Sequence, residues 1–316
     1  MKKVILIPII LGGVLLVAGA ALFAIAIAKN SSSATVVDKT YDLNEDFENI
    51  DIKVAISDFS FKASSDGSKK VVLQEREKQY HIVKVENNTL NISFRDERHW
   101  YEKMFNFDFK PMTVDVYLPA AAYGNLKIDS STGNVNVPKD FSFASFTCEV
   151  DTGNVNTSAG VTNTLDIKSS TGNISLKDLS SKELKLKAST GNISTKDVTI
   201  SEDVDINVST GNVKLEDTTF RDINIKTSTG DVTLTNAVGS GKMIIKTSTG
   251  DVKFNDADAA EMDIKTSTGY VKGTLLTSKS FSVTSATGKP KYPEFSTGGH
   301  CRIETDTGAI DIRIKE

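Results

Sequence analysis

Cysteine, proline, histidine and tryptophan are scarce in this chain, and positive charge is not in excess. Its 316 residues include two Cys, six Pro, three His and one Trp, and the formal net charge is −4. Two cysteines cannot form a disulfide framework for a chain of this length, so the fold must rest on its own core. The three histidines, His81, His99 and His300, show no metal-ligand spacing. The near balance of charge lacks the bulk positive field of a nucleic-acid binder. No Gly-x-Ser-x-Gly elbow and no phosphate-binding Gly-rich loop occurs. With 39% apolar residues the chain has the means to build one large domain or two modest ones.

What the sequence has instead is a repeat. Over residues 126–312 a tripeptide ending in Thr-Gly recurs, with its glycines at Gly133, Gly153, Gly172, Gly191, Gly211, Gly230, Gly250, Gly269, Gly288 and Gly308. Successive glycines are 19 or 20 residues apart. A period that regular marks a solenoid in which each unit stacks on the next. Seven residues before glycine stand Leu126, Leu165, Ile223 and their equivalents; five before, Ile128, Ile167 and Ile225; two after, Val135, Ile174 and Val232. Residues of one parity on a strand face one side, so these columns form the core.

Glycine is expected to take positive φ at the arc where two strands reverse direction. Asn134, Asn154, Asn173, Asn192 and Asn212, then Asp231 and Asp251, follow it. These types tolerate left-handed backbone and bond locally. Each coil then reads as two strands, a tight arc and a looser return. Ten coils at about 4.8 Å give a rod about 48 Å long. The threonine before each glycine, and Thr227, Thr247 and Thr266 two residues earlier, share the parity of the core columns and are expected inside. Cys148 and Cys301 lie eight repeats apart, about 38 Å at that spacing, too far for an internal disulfide. They read as small core residues.

Ahead of the repeats, residues 1–29 read as a transmembrane anchor. Lys2 and Lys3 precede an uncharged apolar run over 4–28, about 37 Å as a helix and long enough to span a bilayer. The lysines favour a cytoplasmic N-terminus and an extracytoplasmic remainder. The alternative is secretion after cleavage near Ala28. Residues 30–46 form a polar spacer. Residues 47–125 form an antiparallel β cap region, with a degenerate coil over 50–61 that has Ser57 in the glycine place, and an aromatic insert around Trp100 and Tyr101. That insert reads as a cap over the open solenoid end or as a binding surface. The solenoid itself takes 126–316. The fold class is thus all-β: a parallel β-solenoid of about ten 19–20-residue two-stranded coils, an N-terminal antiparallel cap and one transmembrane helix.

Two Asp-Thr-Gly triplets, at Asp151 and Asp306, look like aspartic-protease loops, but both occupy repeat slots eight coils apart, too far to share a proton. No cofactor or metal is expected. The outward column four residues before glycine is more informative. It holds Lys168, Lys187, Lys226, Lys246 and Lys265, interrupted by Asn207. A stripe of cations on adjacent coils suits an anionic envelope polymer, or is a solvated face offset by Asp166, Asp205 and Asp263.

Units such as Leu-x-Ile-x-x-Ser-Thr-Gly-Asn-Ile over 165–174 resemble a bacterial family of candidate adhesins with β-strand repeats, a domain of unknown function. The lead-in Val114-Asp115-Val116-Tyr117-Leu118-Pro119 and the weak coil at 50–61 fit as well. The resemblance implies a membrane-tethered β-solenoid that binds rather than catalyses. It also implies, as an alternative, an accessory protein to a membrane envelope-stress signalling system. It carries over no catalytic residues. A polysaccharide-acting β-helix enzyme is the remote alternative, since these coils are too short to carry catalytic loops.

Overall fold

The computed structural model describes residues 35–100, 111–294 and 297–316. Parallel strands stack in register: Ile167 pairs with Leu186, Leu186 with Ile206, Ile206 with Ile225 and Ile225 with Ile245. Each alternate side chain turns inward, and Ile128, Ile167, Ile225, Ile245 and Ile264 are all fully buried. About nine turns stack.

The arc has one geometry throughout. Gly230 has φ 142°, and the stacked glycines from Gly133 to Gly308 fall between 138° and 155°. The residue after each glycine is not left-handed and does not bond locally, contrary to expectation. Where it is Asn or Asp, its side-chain oxygen reaches to the next coil: Asn173 Oδ1 accepts the Asn192 N–H at 2.8 Å, and Asn192 Oδ1 accepts that of Asn212 at 2.8 Å. This ladder runs from Asp58 to Tyr270, with Asp231 and Asp251 taking over from asparagine near its end.

Three further expectations are corrected. The coil is not two strands with a loose return. A second corner lies six residues after glycine, where Asp178, Asp197, Asp217, Asn236 and Asp256 take φ of 48–55°. Beyond it the chain buries Leu179, Val198 and Ala237, a third inward side. The threonine before glycine is not inside. Thr171, Thr190, Thr210, Thr229 and Thr249 are exposed, because the ladder skips the residue before them: Ser169 pairs with Ala188 and then Thr171 with Thr190. That irregularity flips the parity early. Thr227, Thr247 and Thr266, upstream of it, are buried.

Nor do ten repeats give ten coils in chain order. Strand Gly299–Thr307 lies between Val252–Thr268 and Lys279–Ser285, so Cys301 pairs with Met262 on one side and Phe281 on the other. The Gly288 repeat is thereby displaced to the outer edge, where Gly288 lacks the positive φ expected of an arc glycine, and Gly308 stacks on Gly269. The N-terminal end is exchanged in the same way. Strand Asn49–Ala63 lies between Thr89–Asp96 and Met112–Leu118 on one side and Ala122–Thr132 and Val135–Val137 on the other. Antiparallel pairs, Val37–Asp42 with Lys70–Glu75 and Gln79–Glu86 with Thr89–Asp96, finish that end. Strands held on both edges leave less open ladder for chance pairing.

The fifth correction concerns the membrane. The expected transmembrane helix over 1–29 lies outside the described residues. The described elements are all strands, and among the described residues no helix is long and apolar enough to cross a membrane. Over the described residues the fold is an all-β solenoid, with no spanning helix among its elements. Hydropathy sets only a length criterion for a span, whereas the pairing that defines this fold is entirely β.

Candidate binding groove

The ladder register dictates where the outward lysines go. Lys168 pairs in register with Lys187, Lys187 with Asn207, Asn207 with Lys226, Lys226 with Lys246 and Lys246 with Lys265. All five lysines are exposed. The same column ends on acids: Glu149 lies in register below Lys168 and Glu304 above Lys265. Lys168 Nζ reaches Glu149 at 2.6 Å, and Lys265 Nζ reaches Glu304 at 3.4 Å. The Glu149 contact, helped by Asp166, raises the Lys168 pKa; the same contact lowers that of Glu149. Lys187, Lys226 and Lys246 have no carboxylate at ion-pair distance among the described residues. The column is therefore a finite cationic run closed by a carboxylate at each end.

Beside the lysines runs a groove. Lys226, Lys246 and Lys265 form one bank of a hollow of about 410 Å³, and Ser228, Ser248 and Ser267 form the other. Its floor includes the buried Thr227 and Thr247. A smaller hollow of about 210 Å³ continues the same face, with Lys168 and Lys187 opposite Ser170 and Ser189 and with Glu149 and Asp151 at its end. Ordinary alternation creates this shape, because the serine two residues after each lysine faces the same outward side while the residue between them, such as Thr227 or Thr247, is turned in. The serine bank and the terminal glutamates were overlooked in the sequence. Glu149 and Glu304 occupy the same offset from glycine as the lysines, a signal that could have exposed them.

Trp100 is exposed and follows strand Thr89–Asp96 at the N-terminal end. It is several rungs from the lysines and not part of their groove. Tyr101 lies outside the described residues. The arc glycines line the inner course of the coil and belong to the scaffold.

A second cationic hollow of about 280 Å³ is lined by Lys253, Lys272 and Arg313, but Lys253 there is paired with Asp231 and Asp251 and Arg313 with Asp311. Among the described residues no group of three or more His, Cys, Asp or Glu is placed to hold a metal ion. Cys148 and Cys301 are free and buried. Burial pushes the Cys148 thiol far up and that of Cys301 to about 12, so neither offers a thiolate near neutral pH. What the exposed face can do chemically is to hold negative charge with point cations and hydrogen-bond hydroxyl groups with serine.

Stacked parallel coils, a glycine arc and an asparagine ladder define the class as a β-solenoid. The chain belongs to the Toastrack DUF4097 family, whose model matches residues 47–204 and 194–316, a domain of unknown function. Solved structures with a similar fold include a candidate adhesin from Bacteroides fragilis, 15% identical, covering 89% of this chain and 98% of that one with a TM-score of 0.45. A candidate lipid-binding protein from Parabacteroides distasonis is 17% identical, with coverages of 88% and 97% and a TM-score of 0.45. A candidate adhesin from the same species is 13% identical, with coverages of 90% and 98% and a TM-score of 0.43. No curated protein matches the chain.

Proposed function

We propose that this protein is a non-catalytic binding protein of the cell envelope, displayed outside the cytoplasm, which holds an anionic polymer along its lysine groove. The observation that supports this reading is the set of Lys187, Lys226 and Lys246, which share one ladder column without neutralising carboxylates and stand beside hollows banked by serine. Like charges on adjacent rungs repel one another, and a polyanion laid along them relieves that repulsion. Such binding weakens as salt is added.

The test is cosedimentation of the full chain with purified anionic wall polymer, compared with the variant Lys187→Gln/Lys226→Gln/Lys246→Gln. Retention by the wild type, lost in the variant and in high salt, supports the reading. Equal retention of both proteins, or of neither, sinks it.

A further inference from the structure

The outermost coil ends the sheet on an open edge. Strand Lys279–Ser285 pairs on one side with Gly299–Thr307, and among the described residues no strand pairs with its other side. The Ala286 N–H donates to the Thr305 carbonyl, so the even-numbered residues direct their backbone groups to the inner neighbour. Phe281 and Val283 therefore point their N–H and C=O groups away from the stack. Natural edge strands commonly carry charge, which deters pairing. Strands Val37–Asp42 and Gln79–Glu86 at the other end do so, with Asp38, Lys39, Asp42, Lys84 and Glu86. At the last coil that charge is withdrawn. Ser282 lies in register with Arg302 and then Asp263, and Thr284 with Glu304 and then Lys265. The outward charges of two successive coils thus give way to hydroxyls on the edge. Lys279, the one charged residue of the strand, is turned inward to Asp258. Phe281 and Val283 are only half-buried, and the exposed Tyr292 lies 5.8 Å from the Phe281 ring.

We propose that this edge docks the same strand of a second copy of the chain, joining two solenoids end to end about a two-fold axis. An antiparallel pair centred on Ser282 is self-complementary, as a two-fold interface requires. Phe281 of each copy lies opposite Val283 of the other, and these two pairs exchange four backbone hydrogen bonds through the groups that now point outward. Ser280 meets Thr284, and Ser282 meets its own mate, so no like charges face each other across the junction. A two-fold axis normal to the sheet keeps both interiors on one face. The half-buried Phe281 and Val283 of the two copies then close the core that each leaves open alone.

Cysteine trapping in the full chain tests the register. Ser282 and its mate form a non-hydrogen-bonded pair with Cα atoms about 4.5 Å apart, within disulfide reach. Thr284 and its mate, four residues out of register, are about 14 Å apart. Under mild oxidation Ser282→Cys should run as a disulfide-linked dimer on a non-reducing gel, and Thr284→Cys should stay almost wholly monomeric. Both positions are exposed, and the native Cys148 and Cys301 are buried, so the wild type supplies an unlinked background. Equal linkage at the two positions would indicate random collision and overturn the proposal, as would no linkage at position 282. Ser282→Arg returns to the edge the charge that Arg302 carries one coil inward. By sedimentation equilibrium it should weaken dimerisation at least about tenfold, because two cations then face each other across the axis, while its circular dichroism stays that of the wild type. A wild-type chain that is monomeric, or a variant that associates as tightly as the wild type, would equally overturn it.

Discussion

A Cβ atom at Gly230 would lie 2.0 Å from the carbonyl oxygen of Gly211 in the neighbouring coil. Glycine is therefore required twice over at the arc, for its φ of 142° and for the absence of a side chain toward the next rung. Gly230→Ala should destabilise the solenoid by at least about 1–3 kcal/mol from backbone strain alone, and by more once the coils are pushed apart. Gly160 is the control, since its added Cβ meets only Ser142 Cβ at 3.7 Å and its φ is not positive. Gly160→Ala should leave the urea midpoint nearly unchanged. Equal midpoints for the two variants would disprove the role of the arc.

The asparagine ladder predicts a smaller and chemically selective effect. Asn192 accepts from one neighbouring coil and donates to the other. Asn192→Ala leaves the Asn212 N–H without its partner, at a cost of about 0.5–1.5 kcal/mol, because water can reach this exposed position. Asn192→Asp keeps the acceptor, as Asp231 and Asp251 already do, and should retain most of the stability. Chemical denaturation of the two variants decides between an acceptor role and simple surface filling.

The Thr-Gly period made the coil legible in the sequence, because the arc tolerates almost no other residue and so repeats without variation. The inward columns at Leu165, Ile167 and Ile174 could be read for the same reason: burial admits only apolar side chains there. The second corner was obscured because Asp178, Asp197 and Asn236 are ordinary turn formers whose left-handed backbone leaves no distinctive residue. The exposed Thr171 was misplaced because a one-residue irregularity in the ladder changes parity without changing composition. The end exchanges could not be read at all, since Gly288 and Gly308 carry the same motif and only long-range pairing separates them. In the groove, the lysine column was visible as an offset. Its serine bank, two residues further on at the same parity, was equally legible.

A buried ion pair stands where the chain leaves its regular order. Lys279 Nζ lies 2.6 Å from Asp258 Oδ1, with both side chains almost wholly buried. Lys279 also donates to the Ala259 carbonyl and to Thr277 Oγ1 at 2.7 Å each, while Asp258 accepts the Thr277 N–H and hydroxyl. Lys279→Met would leave a buried carboxylate without its cation and should cost about 3–5 kcal/mol. Adding Asp258→Leu should recover part of that loss, because no buried charge then remains unpaired. Denaturant midpoints of the single and double variants would show whether the pair is coupled; additive losses would mean that it is not.

His81 makes the N-terminal end sensitive to acid. Its side chain is buried, both ring nitrogens lack a hydrogen-bond partner, and the ring packs against Phe94 at 5.4 Å. Burial lowers its pKa from 6.5 to about 4, although the nearby Glu75 pulls the other way. Between those values the unfolded chain binds more protons than the folded one, so stability rises with pH across the window. The contribution is complete above pH 6.5 and is lost as pH falls toward 4, amounting to at most about 3 kcal/mol. His81→Phe keeps the ring and removes the titration. The wild-type urea midpoint should therefore fall more steeply than that of the variant between pH 6.5 and 4.5. Parallel falls would show that the acid sensitivity lies in other groups.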